Sequence, residues 1–169
     1  MGERADKLAR LYEEHGPAVW NYAARHVDRR QDADDVLQEV FLVAARDFDD
    51  LDGARSIRAW LVAVARNVIR HRRRRGAWMR TTAMEDASLA ARQLDVDPRI
   101  PAMRDAIGRL PEIYREVLEL RIAQDLSYEE IAHVLGIPIG TVRSRLHNAV
   151  ATLRDWAERF DRDLLAIRS

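Results

Sequence analysis

The sequence predicts an all-α protein of two small helical domains joined by a flexible linker, the second domain containing a helix-turn-helix. Three observations predict it. No run alternates apolar and polar residues with period two, whereas apolar residues recur at helical spacing through most of the chain. That recurrence fades between Gly76 and Pro101, where Gly76, Asp97, Pro98 and Pro101 punctuate the chain. The stretch from Leu126 to Ala149 combines a helix start, a glycine stop and a second start within two dozen residues. The expected division is a first domain over residues 1–76, a linker over 77–101 and a second domain over 102–169.

The elements follow in order. A first helix covers about Glu3 to Glu14. Gly16-Pro17 is expected to break it and to start another, running to about His26. A third helix begins at Gln31 or Asp32 and ends near Arg46. Asp47 to Arg55 reads as a loop with an Asp52-Gly53 turn. Ser56 caps a long helix to about Arg75. A helical turn is expected inside the linker, around Met84 to Leu94. In the second domain Met103 to Arg109 forms a helix, Leu110-Pro111 resets the chain, and Pro111 to about Ala123 forms the next.

The helix-turn-helix has a capping box in Ser127 and Glu130, a stop at Gly136 and a first-turn proline in Pro138. The last helix is expected to run on to Ile167. Ile139, Val142, Leu146, Ala149 and Leu153 fall on one side of it. Gly140, Ser144, His147 and Ala151 fall opposite, flanked by Thr141, Arg143 and Asn148. A small, polar and basic face suits a helix entering a DNA major groove. Arg143 can pair with a guanine edge and Asn148 with adenine. Ser144 and His147 permit close approach. Arg145 borders the apolar side and suits a phosphate. The plainer alternative is a surface hairpin with a solvated face.

Charge is segregated although the net is zero, with 28 Lys and Arg against 28 Asp and Glu. Asp28 to Asp52 is acidic, whereas Ala54 to Thr81 holds no acid and nine arginines. One protein-facing and one polyanion-facing surface are therefore expected. On the third helix Ala33, Leu37, Val40, Phe41 and Ala44 form the core stripe, while Asp35, Gln38, Glu39, Leu42 and Arg46 lie outward. On the Ser56 helix Ile57, Leu61, Val64, Ala65 and Val68 are the expected core. Arg66, Asn67, Arg70, Arg73 and Arg74 face away, with Trp60 at the edge. Arginines track phosphates, and an edge aromatic can stack on an unpaired base. The run Arg72 to Arg75 is expected to meet mainly phosphates.

Several classes are disfavoured. Without cysteine there are no disulfides and no thiolate zinc site, which suits the cytoplasm. The five histidines are scattered, and no glycine-rich phosphate loop occurs, so no catalytic residue, metal or cofactor is expected. No apolar run approaches a membrane span.

Four motifs in order complete the reading: Asp32-Ala-Asp-Asp-Val-Leu-Gln-Glu-Val-Phe, Arg58-Ala-Trp-Leu-Val-Ala-Val-Ala-Arg-Asn, Leu110-Pro-Glu-Ile-Tyr-Arg-Glu-Val-Leu, and Tyr128-Glu-Glu-Ile-Ala through Gly140-Thr-Val-Arg-Ser-Arg-Leu. In these the chain resembles an extracytoplasmic-function (ECF) sigma factor of bacterial RNA polymerase, over nearly its whole length. The resemblance implies a monomeric transcription initiation factor with core polymerase and promoter DNA as partners and an anti-sigma factor as inhibitor. It implies that Asp35, Gln38, Glu39 and Leu42 dock on the polymerase. The loop Phe48 to Arg55 would capture a flipped base of the −10 element. Trp60, Arg66, Asn67, Arg70 and Arg73 would hold the melted strand, and the second domain would bind the −35 duplex. Two other classes remain open on the residues alone. One is a stand-alone helix-turn-helix regulator, marked by tight duplex binding without polymerase. The other is an adaptor that binds helices and no DNA.

Overall fold

The structure is a computed structural model that describes residues 2–76 and 99–167. The described residues form eight helices in two compact units. The expected linker lies outside them apart from residues 99–101, as does the expected turn at Met84 to Leu94.

In the first unit, α1 runs unbroken from Glu3 to Ala24. The expected break at Gly16-Pro17 does not occur. Proline inside a helix removes one hydrogen bond and costs about 3 kcal/mol. Leu11, Val19, Tyr22 and Ala23 are buried on either side of it. Burying each large apolar side chain contributes about 1.5–3 kcal/mol, so packing outweighs the proline. Gly16 is itself buried.

Helix α2, Arg30–Arg46, buries Ala33, Val36, Leu37, Val40, Phe41 and Ala44 against α1 and α4. Phe41 meets Tyr12 of α1 edge to face, with ring centroids 4.8 Å apart. The Trp20 indole donates to Asp34 at 2.7 Å, and the Arg30 guanidinium lies over the same indole. The expected loop after α2 contains a short helix, α3, Phe48–Asp52, because Phe48 and Leu51 both turn into the core. Lys7 pairs with Asp52 across the surface.

Helix α4, Ile57–Gly76, starts as expected: Ala59 N–H donates to Ser56 Oγ at 3.2 Å. Its core stripe is rotated from the expected one. Leu61, Ala65 and Val68 are buried, joined by Ala59, Val62 and Ile69, while Ile57 and Val64 are only half-buried. Contact with both α1 and α2 requires a wider buried arc than one stripe.

In the second unit α5, Arg99–Arg109, begins earlier than the predicted Met103 and takes Pro101 into its first turn, where a missing N–H costs nothing. Helix α6 spans Glu112–Ile122 behind Pro111. Helix α7, Tyr128–Leu135, has a reciprocal capping box: Ser127 N–H donates to Glu130 Oε2 at 2.6 Å and Glu130 N–H to Ser127 Oγ at 3.2 Å. Gly136 ends it at φ +66°, and Ile137 N–H reaches back to the Ala132 carbonyl at 3.1 Å. That six-to-one bond needs a left-handed residue, which glycine supplies without strain. Helix α8, Ile139–Ile167, then runs without interruption and packs against α5 and α6.

Candidate functional site

Three helix faces carry the candidate residues. On α2 the residues opposite the core stripe are Asp35, Gln38, Glu39 and Leu42. Asp35, Gln38 and Leu42 are exposed and Glu39 is half-buried. Leu42 leaves 71% of its surface open, whereas no residue of the buried stripe exceeds 8%. The outer face thus joins one bare leucine to carboxylates. At its end Arg46 bonds Asp47 at 2.7 Å, and this hydrogen bond holds the Asp47 carboxyl below its ordinary range.

The second face lies on α4. Trp60, Asn67, Arg70 and Arg74 recur at helical spacing, and Arg66 and Arg73 lie alongside. Trp60 and Arg66 are half-buried; Asn67, Arg70, Arg73 and Arg74 are exposed, as is Arg55 ahead of the helix. The arginine run is not uniform. Arg73 donates to the His26 carbonyl at 2.8 Å, at the end of α1. Arg72 turns to α2, donating from Nε and Nη2 to Glu39 Oε2 at 3.0 and 2.8 Å. Arg74 and Arg75 stay exposed.

Phe48 is the exception among the candidates. Its ring is 8% exposed and is covered by the Arg4 guanidinium at 4.7 Å, with Lys7 at 5.7 Å. In this fold Phe48 is a core residue of the first unit, unlike the other residues expected on the −10 surface. The preceding loop reading concealed this, because α3 rather than loop geometry sets the direction of the ring.

The third face lies on α8. Val142, Leu146 and Ala149 are buried, with Ile139 and Leu153 half-buried behind them. Gly140, Arg143, Ser144 and His147 are exposed on the other side, and Thr141 and Arg145 are half-buried at the flanks. The Ser144 hydroxyl donates to the Thr141 carbonyl at 3.1 Å, so it lies along the helix and adds little height. The Asn148 amide donates to the Tyr114 hydroxyl of α6 at a long 3.4 Å. Sequence reasoning missed both Tyr114 beside Asn148 and Arg72 beside Glu39. The second had a signal: an acid-rich helix and an acid-free arginine helix in one domain.

An exposed basic and aromatic helix, a helix-turn-helix and an acidic apolar face together define a DNA-binding transcription factor that also meets a protein. The comparisons specify it further. Residues 11–79 match the family described as sigma-70 region 2, and residues 101–153 match sigma-70, region 4. The chain is 37% identical over 150 residues to the ECF RNA polymerase sigma factor SigL of Mycobacterium tuberculosis, covering 85% of each. It is 33% identical over 148 residues to the RNA polymerase sigma factor HrpL of Pseudomonas syringae pv. syringae, covering 82% of this chain and 80% of that one. Among solved structures it is similar to CnrH in complex with the cytosolic domain of CnrY, with a TM-score of 0.63, 28% identity, and coverage of 90% and 88%. It also shares the fold of the sigma factor RpoE solved with the anti-sigma factor NepR from Bartonella quintana. That TM-score is 0.66 at 23% identity, with coverage of 90% and 97%.

The chain belongs to the ECF family of RNA polymerase sigma factors. It directs RNA polymerase to promoters, and its partners are core polymerase and promoter DNA. The stand-alone regulator is not favoured. No helix among the described residues is long and apolar enough to cross a membrane.

Proposed function

We propose that the three faces divide the work of initiation. Asp35, Gln38, Glu39 and Leu42 dock on core polymerase. Arg55, Trp60, Arg66, Asn67, Arg70 and Arg73 hold the melted −10 strand. Thr141, Arg143, Ser144, Arg145, His147 and Asn148 meet the −35 duplex. Residues 1–76 act as the −10 and polymerase domain, 77–101 as linker and 102–169 as the −35 domain. The chain works in the cytoplasm, where polymerase and chromosome are. It is no enzyme: polymerase supplies the chemistry and this protein the positioning.

The observation that carries the reading is the separation of faces on α8, with Val142, Leu146 and Ala149 inside and Arg143, Ser144 and His147 outside. Energetically, each base extruded during melting costs on the order of a few kcal/mol. Stacking on an aromatic such as Trp60 returns about 1–3 kcal/mol per base. Run-off transcription with core polymerase tests the division. Leu42→Arg weakens polymerase retention without loss of helicity, while Arg143→Ala retains polymerase and loses promoter preference. Equal polymerase retention by parent and Leu42→Arg rejects the docking face.

Control by a separate anti-sigma factor is part of the proposal. It is supported by the similar proteins RpoE and CnrH, solved with NepR and with the cytosolic domain of CnrY. Co-purification from the native host under non-inducing conditions recovers the inhibitor. Recovery of polymerase alone argues for control at synthesis.

A further inference from the structure

We infer that Arg72 is a positioning residue for polymerase docking, acting through Glu39, rather than a promoter contact. The inference rests on the proposed docking role of the α2 outer face. Asp35 and Glu39 are four residues apart on that face, where like charges repel. Arg72 sits against both. Two of its N–H groups converge on Glu39 Oε2 at 3.0 and 2.8 Å, and Nη1 stands 3.8 Å from Asp35 Oδ2. The three side chains are half-open, at 37% for Arg72, 42% for Glu39 and 50% for Asp35. A pair this exposed adds little to folding stability. It does fix a rotamer. Glu39 meets its partner already ordered, and the acidic pair is held together against its own repulsion. Ordering a long side chain on binding otherwise lowers affinity about twofold to tenfold. Arg72 thereby spends its donors inside the protein, unlike the exposed Arg74 and Arg75.

The test uses the full chain with core polymerase, then the holoenzyme on promoter DNA across a salt series. Arg72→Ala weakens polymerase binding about threefold to tenfold. The double variant with Glu39→Gln binds no more weakly than Glu39→Gln alone, because Arg72 acts through that carboxylate. Arg72→Lys recovers part of the loss, since a point charge neutralises the pair but cannot donate in the same fork. The salt slope of promoter binding is unchanged in Arg72→Ala, whereas Arg74→Ala flattens it by roughly 0.7. Additive losses in the double variant, unchanged or tighter polymerase binding by Arg72→Ala, or a slope flattened as in Arg74→Ala overturn the inference. Leu42→Arg separates the two failures. If it too leaves polymerase binding intact, the docking face is wrong. If it weakens binding and Arg72→Ala does not, only the role of Arg72 is wrong.

Discussion

Helices α4 and α8 each expose a polar face, and the two faces are built from different materials. On α4 the face is mostly long side chains, Trp60, Arg70 and Arg74 with the shorter Asn67 among them, beside a run in which Arg72 and Arg73 are tied to the protein. On α8 it is short ones around one exposed arginine: Gly140, Ser144 and His147 beside Arg143. Length suits a target whose position varies. A melted strand is flexible, and charge plus stacking tolerates any sequence. Short side chains suit a rigid target, because a duplex groove rewards only a backbone that comes close. The supports differ in the same sense. Helix α8 is aimed by a capping box and a glycine-locked turn, whereas α4 is aimed by broad packing against α1 and α2.

The core of the second unit carries the largest effect. Leu146 is 7% exposed, and Leu146→Ala destabilises that unit by about 2–5 kcal/mol in urea unfolding. Promoter binding then falls on every sequence, with −10 contacts intact on a pre-melted template. A stable Leu146→Ala protein means that α8 is held elsewhere.

Arg143 sharpens the contrast next. Arg143→Ala costs ~1–3 kcal/mol at one preferred −35 base and little on promoters already altered there. Uniform loss across promoter variants makes Arg143 a backbone contact, and α8 then resembles α4 in kind.

The turn comes third. Ser127→Ala removes the acceptor for Glu130 N–H and costs about 1 kcal/mol of stability, read by thermal unfolding. The matching change at Ser56 on α4 has a similar effect, through Ala59 N–H. If only the first also erodes −35 preference, orientation matters more at α8 than at α4.

The smallest effect is electrostatic. Neutralising Arg70 or Arg74 lowers the salt slope by roughly 0.7 each and weakens all promoters alike. A change in sequence preference with an unaltered slope overturns the phosphate reading of α4.

Local patterns made most of this legible. The capping box, the Gly136 stop, the Ser56 cap and the core stripe of α2 all rest on spacing within a few residues, and all are present. The departures come from packing between distant residues. Pro17 is carried through α1 because the burial around it exceeds its cost. Phe48 and Leu51 turn a supposed loop into α3 because the core accepts both. The α4 stripe is rotated because three neighbours, α1, α2 and α3, cover it rather than one. Arg72 finds Glu39 across 33 residues, a pairing that no local window contains.

Helix α8 is the longest helix among the described residues. At 29 residues it measures about 44 Å, taking about 1.5 Å per residue. Its first turns bear the exposed arginine and histidine, and farther along Asp161 pairs with Arg99, at the very start of α5, at 3.2 Å. The start of α5 is thus tied by an ion pair to the same unbroken helix that exposes Arg143 and His147, with no loop between them along α8.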